Sequence, residues 1–151
     1  MVQLLVMKVY LGADHGGYFL KEELNKYLAS LGVEIEDMGA RNLDPNDDYT
    51  DFIIPVAQKV AADPESLGIV IGRSGNGEAI AANKIKGIRA AVCLNEDMAA
   101  KAKEHNNANI LSLGADYISK DQAQNIVKAF LDTPFSFEER HIRRLKKNKE
   151  L

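Results

Sequence analysis

A chain of 151 residues has room for one α/β domain that buries about 70% of the surface its unfolded form exposes, and a second domain is not expected. Its 46% hydrophobic and 27% charged residues exclude wholesale disorder, and a formal net charge of −3 argues against nucleic acid as a partner. Cys93 is the only cysteine, so no intramolecular disulfide is possible, and a reducing, cytoplasmic setting is expected.

The apolar start, Met1-Val2-Gln3-Leu4-Leu5-Val6-Met7, has no basic segment ahead of it and runs into a strand pattern. Neither a signal peptide nor a membrane span is expected. Residues 5–13 read as the first strand, ending at Asp14-His15-Gly16-Gly17. Phe19, Leu20, Leu24, Tyr27, Leu28 and Leu31 then recur at helical spacing, and Gly32 stands where a helix ends in left-handed geometry. Residues 33–38 alternate as a second strand, and the polar segment 39–51, with Pro45, reads as a loop over the sheet edge. The second helix is predicted over 52–62, with Pro55 in its first turn and Asp63-Pro64 ending it.

Residues 67–71 form a short unbroken apolar run, the mark of a strand buried on both faces. It leads through Gly72-Arg73-Ser74-Gly75-Asn76-Gly77-Glu78 into a helical run over 79–84. Glycines here let backbone N–H groups approach a ligand, and the helix N-terminus adds unpaired donors. Two readings stay open: an anion cradle with Glu78 as a base beside it, or a plain turn whose Glu78 complements the helix dipole. A phosphate in the cradle would be repelled by Glu78.

A strand is predicted over 88–94, carrying Cys93 as a core thiol, followed by a helix over 96–104 and the link His105-Asn106-Asn107-Ala108-Asn109. A strand over 110–113 follows, then a helix capped by Ser119, running to Leu131 and broken at Asp132-Thr133-Pro134. Residues 136–151 read as a basic terminal helix. Regular alternation of strands and helices predicts an α/β fold, a five-stranded parallel sheet between layers of helices.

Ligands of such sheets bind outside the carboxyl ends of the strands. The loops that matter are therefore 14–17, 39–51, 72–78, 95–97 and 114–116. Asp14-His15 offers a carboxylate and an imidazole there as a proton-shuttling pair, although Asp is also a common helix cap and His a common surface residue. His105-Asn106-Asn107 reads first as a helix C-terminal cap. Arg140, Arg144 and Lys147 share one helical face, with His141 and Arg143 beside it, either as a solvated surface or as a phosphate fork. His105 and the basic tail fall at the other end of this topology, so their use at the same site calls for a second subunit.

With these residues in place, the chain resembles the ribose-5-phosphate isomerase B and galactose-6-phosphate isomerase family. The markers are Asp14-His15-Gly16, Asp48-Tyr49, the glycine loop to Glu78, Ile80-Ala81-Ala82-Asn83-Lys84, Gly87-Ile88-Arg89-Ala90, His105-Asn106-Asn107-Ala108-Asn109, and Arg140-His141 with Arg144. The resemblance implies a Rossmann-like domain that forms a homodimer, alone or within a tetramer, with sites between subunits. It implies no metal or organic cofactor, a sugar phosphate as substrate, and interconversion of an aldose and a ketose phosphate. By position, Asp14 and His105 resemble the pair that assists ring opening, and His15, Arg140 and Arg144 resemble phosphate ligands. Tyr49, Asn76 and Asn106 match residues of the sugar site, and Ser74 with the backbone of Gly75 and Gly77 matches the loop that holds the enediolate oxygen. One branch of the family has a cysteine base where this chain has Gly72; the other uses a glutamate where this chain has Glu78. This chain resembles the glutamate branch.

Two positions depart from that pattern. Asp116 stands where many relatives have a phosphate-binding arginine, and Arg73 stands where glycine is usual, so Arg73 is expected to reach into the site and restore the charge. The substrate expected is ribose 5-phosphate, with a six-carbon sugar phosphate or a free sugar as alternatives. A noncatalytic nucleotide-binding module is the alternative of another class. A phosphorylated receiver is disfavoured, because Gly72-Arg73-Ser74 supplies no aspartate at the end of the third strand.

Overall fold

Residues 7–151 are described by a computed structural model, and the part of the expected first strand at Leu5 and Val6 lies outside them. The strands are β1 (Lys8–Ala13), β2 (Glu34–Asp37), β3 (Leu67–Gly72), β4 (Ala90–Val92) and β5 (Ile110–Gly114). They pair in the order β2-β1-β3-β5-β4, every pair parallel. The helices are α1 (Tyr18–Ser30), α2 (Thr50–Ala62), α3 (Asn76–Asn83), α4 (Glu96–Asn106), α5 (Lys120–Asp132) and α6 (Glu139–Lys149). The expected α/β fold with five parallel strands is the one observed.

Strand periodicity builds the three layers. Val9, Leu11, Ala13, Ile69, Ile71, Leu111 and Leu113 face one side of the sheet, where they meet Leu24 and Leu28 of α1 and Ile126, Val127 and Phe130 of α5. Tyr10, Val70 and Ile110 face the other, against Ile53, Val56 and Val60 of α2 and Ala82 of α3. Each fully buried Leu or Ile contributes about 1.5–3 kcal/mol, and the three central strands carry most of them. Loops at their ends are therefore attached to the most rigid part of the molecule.

Three details differ from the sequence expectation. Helix α2 begins at Thr50, so Pro55 is inside it rather than in its first turn; the carbonyl left without a donor is that of exposed Asp51, which water can satisfy. Strand β4 is shorter than 88–94, covering Ala90–Val92, and the Asn83 side chain takes both the N–H (2.7 Å) and the C=O (3.0 Å) of Ala90 on its outer edge. Helix α4 runs on through His105 and Asn106, and Asn107 supplies its left-handed cap at φ 46°.

The strand order puts a topological switch between β1 and β3, where the connections leave in opposite directions. A crevice opens at that point beyond the carboxyl ends of the strands. The turn after Ala13 and the loop after Gly72 flank it.

Candidate active site

Glu78 lies in the first turn of α3, and its carboxylate folds back over the α-carbon of Gly72. A Cβ at position 72 would collide with both carboxylate oxygens. A cysteine at 72 and this placement of a glutamate at 78 therefore exclude each other, which gives a steric reason for two alternative base positions in one fold. Glu78 is only 5% exposed. Burial pushes its carboxyl above the ordinary value and the charge of Asp14 adds to that, while its own N–H and that of Gly75 pull it down without reversing the shift.

The loop that holds Glu78 is set by close packing. Gly75 caps α3 at φ 84°, a left-handed geometry that favours glycine, and its carbonyl accepts from the buried Ser112 hydroxyl at 2.7 Å. Ser74 Oγ accepts from the N–H of Asn76 at 3.2 Å. Helix α3 starts at Asn76, so Gly77 lies in its first turn, where an N–H has no intrahelical acceptor. The Tyr49 ring covers Gly77, its Cζ 3.0 Å from where a Cβ would stand.

Asp14 caps the short turn His15–Gly17 by accepting from Gly16 N–H at 2.9 Å, and it is buried close enough to Glu78 to raise its pKa. The capping reading of Asp14 is the one observed, and the cap leaves its carboxylate beside Glu78. His15 is held by Asp47, whose Oδ1 accepts from the His15 backbone N–H at 3.1 Å and lies 2.7 Å from Nδ1. The sequence reading missed Asp47; the only available signal was its place beside Asp48-Tyr49 in the acidic loop. Arg73 crosses directly over Gly16 and its Nε donates to Asp116 Oδ2 at 3.0 Å. The two departures from the family pattern are therefore partners, and Arg73, 70% exposed in its side chain, spends part of its charge on Asp116.

The remaining expected site residues are at the other end of the sheet. Helix α4 begins after the carboxyl end of β4 and ends before the start of β5, which carries His105 and Asn106 to the amino ends of the strands. There the His105 ring stacks on His141 with centroids 4.4 Å apart, and His105 Nε2 is 3.5 Å from Glu104. His141, another residue left out of the expected site, is buried against Ser136 Oγ at 2.8 Å; burial first, then His105 and Arg140, depress its pKa. Arg140 pairs with Glu138 at 3.3 Å, and Arg144 is exposed one turn along α6. A cavity of about 800 Å³ also opens at this end, lined in part by Arg89 and Lys103. Those two cations are already bonded to the carbonyls of Asn107 and Phe130.

One chain thus brings together Asp14, His15, Tyr49, Arg73, Ser74, Gly75, Asn76, Gly77 and Glu78, and leaves His105, Asn106, Arg140 and Arg144 apart. Cys93 is in neither group: it is buried, and desolvation pushes its thiol up to about 11, so it is not a ready nucleophile.

Comparison with known proteins bears on this arrangement. The family model for ribose/galactose isomerases matches residues 9–148. The chain is similar to ribose-5-phosphate isomerase B of Mycobacterium tuberculosis, 49% identical over 139 residues that cover 92% of this chain and 86% of that one. Among solved structures it is similar to ribose-5-phosphate isomerase B of Clostridium thermocellum, with a TM-score of 0.92 and 44% identity over 95% of this chain and 96% of that one. A structure of the Mycoplasma genitalium ribose-5-phosphate isomerase B with bound ribulose-5-phosphate matches with a TM-score of 0.93 and 36% identity, over 97% of this chain and 96% of the other.

Proposed function

The chain belongs to the ribose/galactose isomerase family, and from that premise we propose that it interconverts ribose 5-phosphate and ribulose 5-phosphate as an aldose–ketose isomerase. The observation that carries the reading is the Glu78 carboxylate, buried over Gly72 with its pKa raised, beside the backbone of the Ser74–Gly77 loop.

Isomerisation moves a proton between C2 and C1 of the open-chain sugar. Glu78 takes the C2 proton, and the C2 electrons form the enediolate while negative charge develops on O1. The donors of the loop around Ser74, Gly75 and Gly77 meet that charge. The O2 hydroxyl then gives its proton up to O1 through an acid–base group serving both oxygens, and Glu78 returns its own proton to C1 as the C2 carbonyl forms, giving the ketose. A base buried in this way has a pKa closer to neutrality than a free glutamate, which suits it to both transfers. Asp14 and His105 open the ring beforehand, one taking the proton of the C1 hydroxyl and the other protonating the ring oxygen. Tyr49, Asn76 and Asn106 line the sugar, and Arg73 stands at the rim. His15, Arg140 and Arg144 hold the phosphate away from Glu78, which removes the repulsion between a phosphate and the carboxylate.

Because His105, Asn106, Arg140 and Arg144 lie at the opposite end of the sheet from Glu78, this reading requires a homodimer, alone or within a tetramer. His105 of the partner subunit, with its α6 arginines, then completes each site. The chain acts as a single sugar-phosphate isomerase domain and works in the cytoplasm. A lone buried cysteine supports that location, and no helix among the described residues is long and apolar enough to cross a membrane.

The test is NMR of ribose 5-phosphate, allose 6-phosphate and galactose 6-phosphate in D₂O with wild-type and Glu78→Gln protein. Ribose 5-phosphate should be converted with deuterium entering at carbon, and the variant should be slower by about 10²–10⁴-fold. Folded wild-type protein that converts none of these sugars overturns the reading.

A further inference from the structure

We propose that Asp47 is a positioning residue that keeps His15 in its imidazolium form, so that the ring can donate a hydrogen bond to the substrate phosphate. The proposal rests on the reading of His15 as a phosphate ligand.

Asp47 comes from the loop between β2 and α2, yet a single carboxylate oxygen clamps His15 twice, at its backbone N–H (3.1 Å) and at Nδ1 (2.7 Å). A carboxylate can only accept here, so Nδ1 carries a proton. That leaves Nε2 as the other polar atom of the ring. In a neutral ring Nε2 would present a lone pair, which repels an anion; in an imidazolium it presents an N–H, which binds one. The second proton is therefore what makes His15 useful to a phosphate, and a carboxylate on Nδ1 stabilises that proton.

Burial of Asp47 points the same way. Its side chain is 9% exposed, and its second oxygen, Oδ2, is buried with no hydrogen-bond partner among the described residues. A carboxylate removed from water with half its acceptors unused needs a charged neighbour to offset the loss, and His15 is the one in contact. The other charged groups facing the ring are Asp14, whose Oδ2 is 3.9 Å from Nδ1, and Arg73, which opposes the proton but is itself tied to Asp116. Their balance raises the His15 pKa, with the Asp47 hydrogen bond as the largest cause. Phosphate monoesters become dianions above about pH 6, so a raised imidazolium widens the pH range in which dianion and cation coexist.

A purely structural role, anchoring the loop to the β1 turn, makes a different prediction. Asp47→Asn keeps an acceptor for both His15 N–H groups and removes only the charge. Ribose 5-phosphate kinetics from about pH 6 to 9 should be compared for wild type, Asp47→Asn, Asp47→Glu and His15→Asn, with the His15 ring titrated by NMR. Asp47→Asn should raise KM about tenfold in the upper half of that range with kcat within about twofold. The pH at which KM begins to climb should move down, in step with the His15 titration, and Asp47→Glu should recover most of the affinity. An unchanged KM profile and an unchanged His15 titration in Asp47→Asn overturn the proposal. If His15→Asn raises KM and Asp47→Asn does not, Asp47 alone loses its role. If His15→Asn leaves KM unaltered, the phosphate-ligand reading fails first. Should Asp47→Asn not fold, the wild-type titration decides: a His15 midpoint at or below the ordinary value of about 6.5 overturns the proposal.

Discussion

At the carboxyl end of the sheet Glu78 is buried, seated over Gly72 and surrounded by backbone, whereas at the amino end His105, Arg140 and Arg144 stand near the surface, with one stacked ring and two nearby carboxylates between them. The difference follows from what each group must do. A base needs a set pKa and a fixed direction, and both come from burial against the rigid central strands. Cations that meet a phosphate need only their charge, which survives exposure until a ligand or a second copy covers them. On the proposed reading, one protomer supplies the base with the loop around it, and its partner in the dimer supplies His105 and the α6 arginines.

The sharpest way to break the contrast is to fill the gap at Gly72. Gly72→Ala should displace the Glu78 carboxylate and lower kcat about 100-fold or more, since misplacement of a base by about 1 Å costs that much. Steady-state kinetics with a circular dichroism check on folding would measure it, and an active Gly72→Ala enzyme would mean that the observed seat of Glu78 is not the working one.

A mixing experiment sharpens the division between the two ends. Glu78→Gln and His105→Asn subunits, each inactive alone, should recover about a quarter of wild-type activity after denaturation and refolding together, because half of the random dimers carry one intact site. No recovery from a mixture that does form mixed dimers would place both residues in the site of one chain.

Glu78 also has a thermal signature. Its folded-state pKa is raised, so the folded protein binds this proton more readily than the unfolded chain does; stability is greatest below the ordinary glutamate range and is lost as pH rises through the raised value. Glu78→Gln should therefore melt higher than wild type at pH 8, with the gap closing as the pH falls to about 4.5, while kcat/KM of the wild type falls over the same descent as the base is protonated. Equal melting curves across that range would show that the carboxylate is not held at a cost.

The smallest effect is expected at the rim. Arg73→Gly should raise KM by less than about fivefold, because an exposed guanidinium shared with Asp116 is worth about 1 kcal/mol or less. Asp116→Asn should lower KM by a similar factor by freeing Arg73. If neither substitution moves KM, Arg73 has no part in substrate binding.

Much of this protein is legible in its sequence because the relevant signals are local. Runs such as Leu67-Gly68-Ile69-Val70-Ile71 and the helical spacing from Leu20 to Leu31 depend on which faces of a segment are buried, and they locate the strands, the layers and the loops at the carboxyl ends, although Phe19, at the head of that spacing, is exposed. Glu78 and the glycines before it are legible for the same reason, as a strand-to-helix turn. Local signals are weaker at boundaries: Pro55 falls inside α2, and β4 covers only Ala90–Val92 of the expected 88–94. Only the tertiary structure decides the order β2-β1-β3-β5-β4, the meeting of Asp47 with His15, the pairing of Arg73 with Asp116, the stacking of His105 on His141, and the sign of the shift at Glu78. Each of these joins residues or fields from separate elements, and the free energy that selects them is that of packing the whole domain, to which no single segment's periodicity gives access.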